Sequence, residues 1–328
     1  MRHRSRRLAG LVVGLLACLP NALQGEFVLR AQSLGGVAYL SAADVAKYYG
    51  LKLWVSDKQA VLYNKQFRLD LRLQRREARI NGTVVHLAFA PQRVGSKVML
   101  AERDFALQVD PIFRSWGLPN HPLRRIAIDA GHGGKDNGTQ GDRFREKDLV
   151  LQVSRRLERL LKAQGYEVKL IRSTDKFIEL LDRPAIARQW RADLFVSLHF
   201  NSAATVSARG IETYIVTPQK TPSTPKTEPE AHAVVGNKHD RLNQRLGYEI
   251  QRNLVYQAQA QDRGLKRHRF VVLKEASCPA VLVELAFLSN DSEERLAGTA
   301  DYQEKLARGV AGGISAFAKA THPSRSRK

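Results

Sequence analysis

The alternation of apolar and polar positions in residues 26–117 predicts a small α+β domain. The segments QAVLYN and FRLDLRL alternate as half-buried strands do, and INGTVVHLAF carries an Asn-Gly pair typical of a two-residue hairpin turn. Residues 37–50 and 97–111 can be aligned so that Leu40 matches Leu100. Each copy of this faint repeat predicts a strand that leads into a short helix.

A different pattern begins at residue 126, where apolar strands alternate with amphipathic helices. The predicted strands are IAIDA, YEVKLIR, DLFVSLHF, IETYIV and AVLVELAF. In the helical stretch after the first strand, Leu149 and Leu157 lie on one apolar face and Gly165 supplies the stop. This alternation predicts an α/β fold over residues 118–320, with a largely parallel twisted sheet flanked by helices.

The segment 217–240 interrupts the alternation. Its four prolines and several threonines exclude a long helix and predict an exposed, inserted loop. The loop follows the strand IETYIV, whose end is expected at the same edge of the sheet as the ends of the other strands. We therefore expect the loop to border a substrate groove at that edge.

The two ends of the chain have compositions of their own. Residues 1–25 run from basic through apolar to small and polar residues, which predicts an export signal. The apolar run is shorter than the roughly 20 residues that span a bilayer. We therefore expect an exported protein of the periplasm or the extracellular cell envelope, with no membrane span in the mature chain. The stretch LLAC, which ends at Cys18, leaves a lipoprotein as an alternative, and residues 321–328 predict a frayed basic tail.

The formal net charge of +21 predicts association with polyanions, which in a cell envelope include wall polymers and membrane surfaces. Nucleic acid is not expected as a partner, because neither an aromatic RNA-binding motif nor zinc-finger spacing accompanies the scattered charge. A basic surface that only maintains solubility stays open as the alternative.

Four residue types that bind or assist metals fall at one edge of the predicted sheet. His132 follows the strand IAIDA, and Glu146 opens the helix behind the first loop. His199 and Glu284 stand at the ends of two later strands. Ligands of open α/β sheets bind outside the carboxyl ends of the strands. Two imidazoles, one carboxylate and a water make an open catalytic zinc site, and a further carboxylate can act as its base.

The glycine-rich loop between His132 and Glu146 also has the composition of a phosphate-binding loop. Such a loop closes on Gly-Lys-Ser/Thr at the start of a helix. Here Gly134 and Lys135 are followed by Asp136, whose carboxylate would repel a phosphate. The sequence therefore favours a metal over a phosphate at this loop.

Six motifs in residues 126–320 resemble those of the zinc-dependent N-acetylmuramoyl-L-alanine amidases, the amidase type 3 family. In order, they are IDAGHGGKDNGTQG, EKD, RADLFVSLHFNS, GIETYIV, RGLK and PAVLVELAFLSN. The resemblance implies an amidase fold of the phosphorylase/hydrolase-like type and one zinc ion per chain, bound by His132, Glu146 and His199. It implies that Glu284 is the catalytic carboxylate. The implied reaction is hydrolysis of peptidoglycan at the amide bond between N-acetylmuramic acid and L-alanine.

Residues 26–117 resemble the copper amine oxidase N-terminal-like domain of exported bacterial proteins, a family name that implies no copper. His86 is the only histidine of this domain, and a lone histidine on a strand predicts a structural role. Two other functions stay open: a zinc carboxypeptidase acting on the same stem peptides, and a wall-binding regulator without catalysis. Peptidoglycan is the expected partner in each case, and an envelope activator protein is a further expected partner of an amidase.

Overall fold

The computed structural model describes residues 28–322, so the predicted signal of residues 1–25 and most of the predicted basic tail lie outside the described residues. Within residues 28–322, every helix is too short or too polar to traverse a bilayer. The first region of the fold ends with a π-helical turn at Phe105–Val109 and a 3₁₀ turn at Ser115–Gly117. Its other elements are β1 (Ala31–Leu34), β2 (Val37–Ser41), α1 (Ala42–Tyr49), β3 (Lys52–Val55), β4 (Gln59–Tyr63), β5 (Arg68–Arg72), β6 (Glu77–Ile80), β7 (Thr83–His86), β8 (Gln92–Val94), β9 (Lys97–Ala101), α2 (Glu102–Asp104) and α3 (Asp110–Phe113).

The predicted repeat corresponds to two strand–helix units whose strands pair with each other. β2 and β9 are antiparallel neighbours, with Leu40 opposite Leu100. Each of the two strands runs directly into a helix. The predicted Asn-Gly turn is also confirmed, because Asn81 and Gly82 have positive φ angles of 47° and 86° and join β6 to β7.

The second region has helices on both faces of a sheet. Its elements are β10 (Arg125–Ala130), α4 (Glu146–Ala163), β11 (Glu167–Leu170), α5 (Asp182–Gln189), β12 (Leu194–Asn201), β13 (Ile211–Ile215), α6 (Asp240–Ala258), β14 (Asp262–Arg267), α7 (Val271–Lys274), β15 (Ala280–Phe287), α8 (Asp291–Ala297) and α9 (Ala300–Thr321). α4, α6 and α9 pack on one face, where Leu157, Leu246 and Phe317 are fully buried. α5 and α7 cover part of the other face, around Phe195 and Leu273.

One eleven-stranded sheet runs through both regions, in the order β11–β10–β12–β15–β13–β14–β7–β6–β5–β4–β3. β10, β11, β12 and β15 are parallel, as the sequence predicts. β13 runs antiparallel to β15, so the sheet as a whole is mixed. The two regions join where β14 lies parallel to β7, with Leu265 opposite Val85. The two predicted domains therefore share a sheet, and a second, four-stranded sheet of β1, β2, β9 and β8 stands beside it.

The expectation that the 217–240 segment borders the catalytic edge is wrong. Because β13 is antiparallel to β15, its first residues lie beside the end of β15 and its last residue, Ile215, lies at the opposite edge. The segment then packs against the N-terminal region, and its early residues Thr221 and Ser223 are buried rather than exposed. The guanidinium group of Arg76 donates to the backbone oxygens of Pro222, Ser223, Thr224 and Lys226. A strand pattern in a sequence carries no direction, which is why the expectation failed.

Polar contacts also tie α6 to the helices of the N-terminal region. Asp110 of α3 accepts a hydrogen bond from Arg241 at 2.7 Å and pairs with Arg114 at 3.0 Å. Arg245, one turn further along α6, donates to the backbone oxygen of Ile112 at 3.1 Å. These bonds and the β7–β14 pairing hold the two regions together over a broad seam.

Candidate active site

His132 stands on the loop after β10 in an uncommon backbone conformation. Its φ angle is 58°, in the left-handed region that non-glycine residues rarely adopt. Two buried arginines hold the loop in place. Arg183 donates to the backbone oxygen of His132 at 2.9 Å, and Arg172 donates to those of Ala130 and Gly131 at 2.9 and 2.8 Å. The strained conformation is therefore fixed from below by hydrogen bonds.

Glu146, the first residue of α4, brings the three predicted ligands together. Its Oε1 atom lies 3.2 Å from Nε2 of His132 and 2.9 Å from Nδ1 of His199. One ligand atom from each residue lies within 4.8 Å of the other two. The Glu146 side chain is buried, and its Oε2 accepts a hydrogen bond from the backbone N–H of Thr139 at 2.7 Å. The spacing and chemistry of these atoms fit a single metal ion with two nitrogen ligands and one oxygen ligand.

Two glycines leave the room that these side chains occupy. A Cβ atom at Gly131 would lie 2.3 Å from the His199 ring, and one at Gly138 would lie 2.5 Å from Glu146 Oε2. Gly138 also has a positive φ angle of 67°. Gly131 and Gly138 are therefore explained by close packing around the side chains of the three predicted ligands.

Asp136 orients the first histidine. Its Oδ2 atom lies 2.8 Å from Nδ1 of His132, and its Oδ1 accepts from the backbone N–H of Gly138 at 3.0 Å. A carboxylate on the outer nitrogen fixes the proton there and leaves Nε2 free to bind a metal. The residue that argues against a phosphate in the sequence thus has a positioning role in the site.

The charges of the cluster favour ionised Glu146. Burial opposes its ionisation, but hydrogen bonds with His132 and His199 outweigh burial and hold the pKa of this carboxyl well below its usual range. Burial likewise opposes a charged His199, yet the bond to Glu146 raises the pKa of His199 to about 9. Without a metal, protons on the imidazoles balance the charge of Glu146, and a bound cation would replace those protons.

Glu284 lies next to this cluster without belonging to it. β12 and β15 are parallel, and His199 is directly opposite Glu284. The Oε2 atom of Glu284 is buried and has no hydrogen-bond partner among residues 28–322. Burial raises the pKa of Glu284 to about 8. The structure thus places all four predicted residues at one edge of the sheet, with three converging on one point and the fourth beside them.

Comparison with known proteins identifies the family. The sequence model described as N-acetylmuramoyl-L-alanine amidase matches residues 126–316, more than half of the chain. The chain belongs to the N-acetylmuramoyl-L-alanine amidase family. The amidase is 32% identical over 219 residues to N-acetylmuramoyl-L-alanine amidase AmiA of Escherichia coli (strain K12), a match that covers 59% of this chain and 76% of AmiA.

Solved structures support the same assignment. The amidase shares 31% sequence identity and a TM-score of 0.50 with the catalytic domain of CwlV, an N-acetylmuramoyl-L-alanine amidase from Bacillus (Paenibacillus) polymyxa var. colistinus, over 60% of this chain and 99% of that one. It shares 26% identity and a TM-score of 0.51 with the CwlD amidase of Clostridioides difficile in complex with the GerS lipoprotein, over 59% of this chain and 98% of that one. The amidase is therefore an enzyme that hydrolyses the amide bond between N-acetylmuramic acid and L-alanine in peptidoglycan.

A second buried carboxylate, Glu212, was missed in the sequence. It lies opposite Glu284 on β13 and is 2% exposed. Its oxygens accept hydrogen bonds from Arg263 at 2.5 Å, Lys266 at 2.6 Å and the Tyr214 hydroxyl at 2.6 Å. The sequence could have singled out Glu212, because it is a charged residue within the apolar strand IETYIV and a carboxylate is rarely buried without a partner. The same argument singles out Glu284.

The supports beneath the loop were also missed. Asp129, fully buried on β10, accepts hydrogen bonds from Arg183 and from the Ser197 hydroxyl, both at 2.8 Å. The sequence could have singled out Asp129, because it is a charged residue within an apolar strand. Arg172 and Arg183 gave none, because an arginine in a loop or at a helix start is usually solvated.

Proposed function

We propose that the amidase is zinc-dependent, with one zinc ion per chain bound by His132, Glu146 and His199. The observation that carries this proposal is the convergence of their three ligand atoms to within 4.8 Å of one another. Three protein ligands of this kind leave a fourth position for water or substrate, which is the arrangement of catalytic zinc. The bond between Asp136 and His132 supports the proposal, because a metal-binding histidine usually donates a hydrogen bond from its other ring nitrogen to a carboxylate.

The residues of the chain carry out the proton transfers of the reaction. When bound, the metal supplies a Lewis acid that polarises the substrate carbonyl and activates water. Glu284 Oε2, which is buried and unpartnered, accepts the proton of the attacking water and then donates it to the nitrogen of the leaving L-alanine. We propose that the water attacks the carbonyl directly, without a covalent intermediate.

Digestion of purified peptidoglycan tests the proposal. The protein of residues 26–328 should release stem peptides that begin with a free L-alanine amine, and mass analysis of the products detects them. A chelator should abolish release, and added zinc should restore it. Shortened stem peptides that are still attached to the glycan would instead indicate a zinc carboxypeptidase, and intact wall with bound protein would indicate a regulator without catalysis.

We also propose that the chain is exported and acts in the cell envelope. The signal-like composition of residues 1–25 and the wall substrate of the family support this location. Cell fractionation with N-terminal sequencing of the purified protein tests it. Retention of residues 1–25 on protein found only in the cytoplasm would contradict export, and a lipid on Cys18 would establish the lipoprotein alternative.

An envelope activator protein is a further proposed partner. The support is a structure of a 26% identical amidase, CwlD, in complex with the lipoprotein GerS. If this chain has such a partner, release of stem peptides from peptidoglycan by the purified protein should rise when an envelope extract of the same cells is added.

We keep the division into residues 26–117, 118–320 and 321–328 as a proposal about domain boundaries, although the first two parts share one sheet.

A further inference from the structure

A basic cleft lies on the N-terminal part of the sheet face that carries Glu284. The cleft has a volume of about 1240 Å³ and is lined in part by Lys58, Arg72, Arg75 and Arg93. We propose that this cleft is a remote subsite for the stem-peptide carboxylates of the peptidoglycan that the enzyme cleaves. The inference rests on the proposed function and adds a second place where the polymer is bound.

Strand register places the catalytic carboxylate and β14 on one face. Glu212 is opposite Glu284, and Tyr214, two residues further along β13, is opposite Lys266. Side chains two residues apart on a strand point to the same face of a sheet. Lys266 therefore lies on the face of Glu284, and its bond of 2.6 Å to Glu212 confirms this placement.

The same face continues into the N-terminal region. The pairing of β14 with β7 puts Lys266 beside His86. His86 is opposite Glu77 on β6, and the Glu77 carboxylate pairs with Arg72 of β5 at 3.1 Å. His86, Glu77 and Arg72 all line the cleft. A row of polar side chains thus links the neighbourhood of the active site to the cleft.

The separation of the two places suits a polymer rather than a small molecule. Neighbouring strands lie about 4.8 Å apart, so the five steps from β15 to β5 correspond to about 24 Å. Each step also adds a twist of about 20–25°, so a ligand that reaches both places must follow a curved path along the sheet. A flexible peptidoglycan segment with several stem peptides can do this, whereas one stem peptide in the active site cannot.

The positive charge of the cleft favours binding of an anion. Its lining has five lysine and arginine residues against two acids, Asp57 and Glu77. Arg72 is engaged by Glu77. The side chains of Lys58 and Arg75, in contrast, are exposed and make no hydrogen bond or ion pair with any residue between 28 and 322. Free carboxylates of stem peptides are the anions of the established substrate and would pair with these two side chains.

Paired charge reversals provide the test. Lys58→Glu with Arg75→Glu reverses two cleft charges without removing a side-chain hydrogen bond or ion pair to any residue between 28 and 322. The matched control is Arg252→Glu with Lys305→Glu, which makes the same change of net charge on exposed positions of α6 and α9, on the other face of the sheet. Each protein is assayed on two substrates: insoluble peptidoglycan stripped of attached phosphate polymers, and a soluble N-acetylmuramic acid that bears one stem peptide.

We expect the cleft variant to raise KM for stripped peptidoglycan roughly fivefold to tenfold, as the loss of two exposed ion pairs implies. Its kcat and KM for the soluble substrate should stay within about twofold of the unchanged protein, since charges this far away are screened. The control variant should match the unchanged protein on both substrates. Added salt should also raise KM for the polymer less in the cleft variant than in the unchanged protein.

Three results would overturn the inference. One is an equal KM for stripped peptidoglycan in the cleft and control variants. Another is an equal loss on both substrates, which would place the effect in the active site. The third comes from an additional arm, wall that retains its phosphate polymers: an effect confined to that wall would show that the cleft binds phosphate and not carboxylate. If the unchanged protein hydrolyses neither substrate with zinc, the proposed function itself fails.

Discussion

Glu146 and Glu284 are both carboxylates withdrawn from solvent at the catalytic edge, but their partners differ. Hydrogen bonds from two imidazoles and from the backbone N–H groups of Thr139 and Phe200 keep Glu146 ionised, as the proposed metal ligand must be. Glu284 has an oxygen with no partner, and burial raises its pKa to about 8. The pKa of a glutamate is thus lowered at one neighbour of His199 and raised at another, because the groups around the two carboxyls differ.

Glu284→Gln keeps the shape of the side chain but removes its ability to accept a proton. Turnover of peptidoglycan should fall by about 10²- to 10⁴-fold, the usual contribution of general acid–base catalysis. Zinc content, measured by metal analysis of the purified protein, should equal that of the unchanged enzyme. Glu179→Gln, at an exposed position before α5, is the control and should leave both quantities unchanged. Loss of zinc from Glu284→Gln would show that Glu284 is a ligand.

Asp136→Asn should weaken zinc binding about 10- to 100-fold, because the single amide oxygen can accept from only one of the two donors, Nδ1 of His132 and the backbone N–H of Gly138, that the two carboxylate oxygens accept from. Competition with a chelator of known affinity measures the change. Asp175→Asn is the matched control, since Asp175 contacts Gly134 of the same loop and Lys147 of α4 but none of the proposed ligands. Equal zinc affinity in the two variants would contradict a positioning role for Asp136.

At the scale of secondary-structure elements, strand ends were predictable and strand directions were not. The ligand edge follows from the rule that parallel strands end together, and His132, His199 and Glu284 obey it. β13 reverses direction, and nothing in IETYIV indicates this. β14 carries the motif RGLK, in which Gly264 packs against Val84 of β7, but a close approach between two strand residues has no sequence signature.

Glu212→Gln should lower the free energy of unfolding by about 3 kcal/mol, because it leaves the partly buried cations Arg263 and Lys266 without a counter-charge. Urea denaturation followed by circular dichroism measures the change. Asp70→Asn, which removes the partner of Arg68 on the exposed side of β5, should cost less than about 1 kcal/mol. Equal losses in the two variants would show that the Glu212 cluster does not stabilise the sheet.

At the scale of the whole molecule, the seam between the two regions buries ionisable groups that the sequence could not single out. Asp240, at the start of α6, lines a water-sized cavity of about 10 Å³ together with Asp104 and Arg267. Its burial at the seam raises the pKa of Asp240 to about 6, against hydrogen bonding from Asn237 that lowers it. In the sequence, each of these residues resembles an ordinary surface charge. Their burial follows from the packing of the N-terminal region against α6, which the sequence does not reveal.

The raised pKa of Asp240 predicts a pH dependence of stability. Between about pH 4 and pH 6 the folded protein holds a proton that the unfolded chain has released, so this group makes stability fall as the pH rises. A rise of the pKa from 3.8 to about 6 corresponds to about 3 kcal/mol at neutral pH. Asp240→Asn should therefore gain stability relative to the unchanged protein, by up to that amount, when the pH rises from about 4 to 7.

Urea denaturation of both proteins at the two pH values measures this gain. Asp301→Asn, at an exposed position in the first turn of α9, controls for the loss of a negative charge near a helix start. A difference between Asp240→Asn and the unchanged protein that stays constant from pH 4 to pH 7 would contradict the prediction.

The shared sheet also sets an order of events during synthesis. The backbone N–H of Val84 on β7 is bound by the carboxylate of Asp262 at the start of β14, 178 residues later in the chain. The N-terminal strands emerge first, and β7 has an unpaired edge until most of the chain has been made. An unpaired edge is a template for wrong pairing, and contacts so distant in sequence form slowly. The chain is therefore most vulnerable to aggregation until β14 has been made, about four fifths of the way along the 328 residues, and holding factors that cover a strand edge would matter most up to that stage.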